Sequence, residues 1–191
     1  MLTICPATLA DAAFVARCVC LALHHDPSPD ELPHIAEVCS REDVLYSYRH
    51  ALIGYADGVP VGLCLAYPGE GYHETRLRTF ALFTDSNPAM DLENAEDETE
   101  AGEYYIDSLA VLPEHRRHGY GRELMEAQIE RGRQLGLAHI TLLVDPDNPG
   151  AQRLYRDLGF RYVSDCYAFG QTFWKWEQQP STGAPSAPEM S

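Results

Sequence analysis

The sequence predicts an α/β domain, on three observations. Short apolar runs alternate along the chain with stretches of helical periodicity. One such run, 106–112, passes through Arg116-Arg117-His118-Gly119-Tyr120-Gly121 into a helix over 122–135, so strand, glycine turn and helix follow one another. A second run, 138–144, is largely apolar, as expected of a strand covered on both faces. Asn148-Pro149 then opens another helix, with a cap residue followed by proline at the first helical position.

With 191 residues, 45% of them hydrophobic and 10% aromatic, the chain is long enough for one domain with a real core. That domain is expected over 1–178, with a Pro/Ser/Ala-rich, disordered tail over 179–191. Fourteen Lys and Arg against 29 Asp and Glu give a net charge of −15. Such a balance excludes nucleic acid and anionic membrane surfaces as partners. It suits cationic acceptors such as amines, or serves only solubility. Cys5, Cys18, Cys20, Cys39, Cys64 and Cys166 lack metal-type pairing, and Cys18-x-Cys20 is too tight for a zinc knuckle. No metal is expected, and the thiols read as small core residues of a cytoplasmic protein. The apolar run 12–23 carries Arg17, has no basic flank and is too short to cross a bilayer.

In chain order, 2–5 is a short strand closed by Pro6. Thr8 and Asp11 have capping-box spacing for a helix to about Leu23, with Phe14, Cys18 and Leu21 on one face. His24-His25-Asp26 is a polar break, more economically solvated than metal-binding. A short helix over 31–39 follows, and Ser40-x-x-Asp43 is expected to cap another through about Tyr48. The runs 50–55 and 59–67 flank Asp57-Gly58 as a hairpin. Helical spacing covers 72–83. Acids crowd the segment 84–102, which reads as a flexible solvated insertion, with a substrate-attracting lid as the alternative. After the strand 104–112 and the loop, the helix to Leu135 presents Leu124, Met125, Gln128, Ile129, Gly132 and Leu135 inward. The helix after Asn148 stops at Gly159, and 160–169 and 171–176 form a last strand pair.

The glycine turn places free backbone N–H groups at a positive helix N-terminus, a ready phosphate site. It is not a Walker loop, because no Lys-Ser/Thr follows the glycines, and a dinucleotide fingerprint would need a third glycine. What stands is Arg-x-x-Gly-x-Gly. Downstream, across one strand, comes Asn148-x-x-Ala151-x-x-Leu154-Tyr155-x-x-x-Gly159-Phe160. In this order and spacing the two blocks resemble the signature of the GCN5-related N-acetyltransferase (GNAT) family, from about Tyr104 to Phe160. From residue type alone, Asn148 can be a cap and Tyr155 a core tyrosine.

The resemblance implies one domain with a central mixed, twisted β-sheet flanked by helices. It implies an N-acetyltransferase that moves an acetyl group from acetyl-CoA to a primary amine by direct attack in a ternary complex. Pyrophosphate would lie on Arg116, Arg117, His118, Gly119, Tyr120, Gly121 and Arg122, with Asn148 nearby. Pantetheine would follow the backbone of Leu109, Ala110 and Val111. Tyr155 would protonate the leaving sulfur, and Asp107 would act as base, with Glu103, Asp145 and His25 as rivals. Simple alternation puts Tyr105, Asp107 and Leu109 on one strand face, unless a bulge resets the phase. The acceptor is a small amine, or a protein N-terminus or lysine. A non-catalytic acyl-CoA-binding module of the same fold is the reading from another class. Oligomeric state is open, with a homodimer one candidate.

Overall fold

The structure, a computed structural model, describes residues 2–83 and 96–179. The elements run β1 (Thr3–Pro6), α1 (Ala12–Ala22), α2 (Glu31–Cys39), β2 (Ala51–Ala56), β3 (Val59–Pro68), α3 (Tyr72–Ala81), β4 (Glu103–Val111), α4 (Tyr120–Gln134), β5 (His139–Val144), α5 (Pro149–Asp157), β6 (Phe160–Ala168) and β7 (Gln171–Gln178). The strands make one seven-stranded sheet in the order β1-β2-β3-β4-β5-β7-β6. Among the described residues only β4 and β5 pair in parallel; the other neighbours are antiparallel, so the sheet is mixed. The parallel pair is joined through α4, as a parallel crossover requires.

Local chemistry explains most boundaries. The Asp11 carboxylate accepts from the Thr8 N–H at 2.8 Å, fixing the turn that leads into α1. Asp57 and Gly58 both take left-handed φ, 50° and 78°, as the tight hairpin between β2 and β3 demands. Asn148 caps α5 by accepting from the Ala151 N–H at 3.0 Å.

Two apolar clusters lie on opposite faces of the sheet. One gathers Val15, Cys18, Val19, Ile35 and Cys39 of α1 and α2 with Ile53, Leu63, Leu65, Tyr67, Tyr105 and Ala110. The other gathers Leu124, Met125 and Ile129 of α4 with Val61, Cys64, Tyr104, Ile106, Ile140 and Leu142, and α5 adds Leu154 and Tyr155 at its edge. Gln128 is buried in that second face with its amide satisfied. It donates to the carbonyls of His50 (3.0 Å) and Cys64 (2.6 Å) and accepts from the Tyr104 hydroxyl (2.8 Å), tying α4 to the sheet. Five of the six cysteines are buried and Cys5 is exposed; all are free thiols.

Three expectations are corrected. No helix forms after Ser40. That residue instead ends α2, its hydroxyl donating to the Glu37 carbonyl at 2.6 Å, while Asp43 is held by Arg41 at 2.9 Å. Leu135 lies beyond α4 and is exposed rather than inward. Of the acidic stretch 84–102, residues 84–95 lie outside the described residues, and 96–102 are mostly exposed but not solvated throughout. There Glu98 and Thr99 are buried, and the Glu96 N–H donates to the Tyr167 carbonyl at 3.2 Å. The expected tail 179–191 lies outside the described residues from 180 onward.

Candidate active site

The parallel pairing of β4 with β5 stops at Ile106–Leu142, although β4 continues to Val111 and β5 to Val144. Past that point the strands part. The Leu112 N–H donates to the Val61 carbonyl at 2.9 Å, and bonded residues alternate along an antiparallel pair. Ala110 therefore turns its backbone toward β3, opposite Leu63, while Leu109 and Val111 turn theirs into the gap. So Ala110 is not available at the free edge, and the expected contacts reduce to Leu109 and Val111. The Val111 carbonyl already accepts from Arg116 Nε at 3.0 Å. Arg116 thus braces the corner between strand and loop.

The loop that follows takes an unusual course. Arg117 and Gly119 both have left-handed φ, 64° and 84°, and Gly119 caps α4. A run of this kind turns successive N–H groups to one side. Among the described residues, the N–H groups of Arg117, His118, Gly119, Tyr120 and Gly121 have no protein acceptor; that of Arg122 is spent on the Gly119 carbonyl. The row stands at the N-terminus of the 15-residue α4, where the helix dipole adds positive potential. His118 stacks on Tyr120 with centroids 5.4 Å apart. A Cβ on Gly119 would meet nothing within 4 Å, so this side of the loop is open; one on Gly121 would touch Val111, Leu109 and Leu154 at 3.8–4.0 Å. Loop, free strand edge and α5 therefore border one cleft.

Tyr155 packs at this cleft with the cluster that contains Leu109, Val111 and Leu154, its ring 6.1 Å from that of Phe160. Its hydroxyl has no hydrogen-bond partner among the described residues. Burial, with the Cys64 thiol as a lesser cause, pushes its pKa above the usual phenol value, so the proton stays on at neutral pH. Asn148 spends its side-chain oxygen on the α5 cap.

Asp107 sits on the other face. It is the extra residue of a bulge: Leu65 pairs with Ser108 and Ala66 with Ile106, leaving Asp107 without an opposite number. The bulge breaks the simple alternation, so Tyr105 and Asp107 share the face of α1 and α2 while Leu109 faces α4. Asp107 accepts from the hydroxyls of Tyr67 (2.5 Å) and Ser108 (2.6 Å). Burial pushes its pKa up, and those two hydrogen bonds offset only part of the rise.

The rival bases are placed elsewhere. Glu103 is held by Lys175 (2.8 Å), Thr99 (2.8 Å) and Thr141 (3.2 Å) and serves as a structural anchor. Asp145 accepts from the Asp147 N–H in a turn, and His25 is exposed, 3.7 Å from Glu31. Sequence reasoning missed Glu98, which is buried beside the site and accepts from Tyr72 and Tyr105. The one signal for it was the local density of tyrosines able to satisfy a buried carboxylate. Among the described residues no His, Cys, Asp or Glu group is arranged to hold a metal ion, and no helix is long and apolar enough to cross a membrane.

Comparison with known proteins matches the model of the acetyltransferase (GNAT) family to residues 20–160. Mycothiol acetyltransferase of Kocuria rhizophila is 42% identical over 64 residues, 34% of this chain and 20% of that protein. The L-methionine sulfoximine/L-methionine sulfone acetyltransferase of Pseudomonas aeruginosa is 33% identical over 69 residues, 36% of this chain and 40% of that one. The match thus spans well under half of these relatives. Among solved structures, an acetyltransferase crystal structure is 27% identical with a TM-score of 0.74, covering 93% of this chain and 98% of its own. An N-acetyltransferase from Staphylococcus aureus Mu50 is similar in fold, at 20% identity and a TM-score of 0.75, covering 92% and 99%.

Proposed function

The chain belongs to the GNAT acetyltransferase family, and from that premise we propose that it transfers an acetyl group from acetyl-CoA to a small primary amine, both substrates being bound together. One observation carries the reading: the unpaired edge of β4 beyond Ile106 runs directly into the row of free N–H groups from Arg117 to Gly121. That is a strip able to take first an amide-bearing chain and then a pyrophosphate. Acetyl-CoA supplies the acyl group, activated as a thioester. Leu109 and Val111 would hold its pantetheine, and the loop N–H groups its phosphates.

The two faces of the sheet divide the proton chemistry. The amine nitrogen bonds to the acyl carbon and the carbon–sulfur bond breaks. Asp107, on the α1/α2 face, takes the proton shed by the amine. Tyr155, on the α4/α5 face, gives its proton to the departing sulfur. A cationic acceptor suits a face where Asp107 and Glu98 lie among Tyr67, Tyr72 and Tyr105. The small acceptors in the relatives' names favour a small amine over a peptide.

The test is a panel of diamines, arylalkylamines, amino acids and peptides with free N-termini, incubated with acetyl-CoA while released thiol is recorded. Turnover of small amines above peptides is expected. Tight acetyl-CoA binding with no acceptor in the panel would point instead to a non-catalytic acyl-CoA-binding module.

Gly119→Val tests the cofactor side separately. A β-branched residue at φ 84° is strained by about 1–2 kcal/mol or more, and the loop must shift its N–H groups to relieve it. Calorimetric titration should show acetyl-CoA affinity reduced at least about tenfold, with the thermal midpoint only modestly lowered. Wild-type affinity in this variant would remove the loop from the binding site.

A further inference from the structure

Asp107 as a base faces a chemical difficulty. A carboxylate with its ordinary pKa of about 4 holds a proton too weakly to draw one readily from an ammonium. The surroundings of Asp107 address this. Glu98, five residues before β4 begins, is buried, with one carboxylate oxygen accepting from the Tyr72 hydroxyl (2.6 Å) and the other from the Tyr105 hydroxyl (2.5 Å). Asp107 is bonded in the same manner, one hydroxyl to each oxygen. The rings of Tyr67, Tyr72 and Tyr105 pack on one another with centroids 5.8–6.4 Å apart. Two carboxylates thus hang on one aromatic cluster, each held by hydroxyl donors.

We infer that Glu98 is a positioning residue for the transfer reaction, acting through Asp107: held on the same aromatic cluster, the charge of the Glu98 carboxylate makes Asp107 the stronger base. The inference rests on the reading of Asp107 as the base.

Burial and the neighbouring Asp107 both push Glu98 up, outweighing its bonds to Tyr105 and Tyr72 and the charge of Arg76. The groups facing Asp107 are Tyr46 from the segment before β2 and Cys64 and Tyr67 from β3. Those facing Glu98 are Tyr72 and Arg76 from α3, Tyr105 from β4 and Cys166 from β6. Burial pushes every one of these phenols and thiols up, so they stay neutral. Arg76 is ion-paired to Asp97 at 3.3 Å. The His50 ring packs on Tyr67, 5.2 Å between centroids, and burial pushes its pKa down, so it is neutral at neutral pH and leaves the two carboxylates as the charged pair on this cluster among the described residues. When Asp107 takes the amine proton, its repulsion with Glu98 is relieved, which favours the transfer.

The experiment is an NMR titration of the full chain carrying ¹³C-labelled Asp and Glu carboxyls, without substrate. Wild type should show one carboxyl midpoint well above the ordinary carboxylate range. Glu98→Gln should move the Asp107 midpoint down by about one unit or more, and Asp107→Asn should do the same to Glu98. Because the coupling is reciprocal, either variant suffices if the other fails to fold. Midpoints that stay put overturn the inference. With an amine accepted in the panel, Glu98→Gln should also carry the acid limb of the kcat profile to lower pH, and Glu98→Asp should keep it high. An unmoved limb overturns the positioning role, whereas full activity in Asp107→Asn would overturn the base itself.

Discussion

Asp107→Asn should lower kcat/KM for an accepted amine by about a hundred- to ten-thousand-fold, the usual worth of a positioned general base. Acetyl-CoA affinity should hold, because Asp107 lies on the face of the sheet opposite Leu154 and Tyr155. The asparagine keeps the size of the side chain and can still bond to Tyr67 and Ser108. Its effect on stability has the opposite sign to the loss of activity. The carboxyls of Asp107 and Glu98 are pushed up in the folded protein, so the fold binds their protons more tightly than the unfolded chain does. Stability is therefore lost as pH rises from the ordinary carboxylate range through the raised values. Removing one carboxylate removes part of that loss. Asp107→Asn should accordingly show a smaller fall in Tm than wild type between about pH 5 and about pH 8. Calorimetry at the two pH values measures this, and steady-state kinetics the activity. An unchanged kcat/KM would transfer the role of base to another group.

How legible the site was depended on how local its causes are. The cap at Asn148, the proline after it and the glycines of the loop act within a few residues, and the structure has them at the ends of α5 and α4. The parting of β4 from β5 is not local, because nothing in either strand's sequence marks the point and only the sheet decides where pairing ends. The bulge at Asp107 is of the same kind: alternation is a rule for regular strands, and one unpaired residue moves Asp107 to the face away from Leu109. Glu98 misled for a different reason. Seven acids between Asp91 and Glu103 look like solvated sequence, and what buries Glu98 is a pair of tyrosines, one of them 26 residues earlier in the chain. Ser40-x-x-Asp43 shows that a capping spacing fits either end of a helix, and the bond from Ser40 back to Glu37 made it a stop.

Tyr155→Phe carries the other large effect. Losing the hydroxyl should leave the ring in its contact with Phe160 and in the cluster with Leu109, Val111 and Leu154. Because the hydroxyl has no hydrogen-bond partner among the described residues, its loss strands no buried group, and the fold should be no less stable. Acetyl-CoA should bind as to wild type. The proton for the departing sulfur, however, is gone. General acid catalysis is worth about a hundred- to ten-thousand-fold, so the chemical step should slow by that order. Since burial holds the Tyr155 proton on past the usual phenol range, wild type should show no loss of activity from this group across neutral pH. Single-turnover measurements with enzyme in excess isolate the chemical step from product release. If the phenylalanine variant transfers acetyl groups as fast as wild type in that assay, Tyr155 is a packing residue, and the sulfur draws its proton from water. A slowed chemical step with intact affinity and intact fold has no such structural explanation, because the only atom removed is the one that carries the proton.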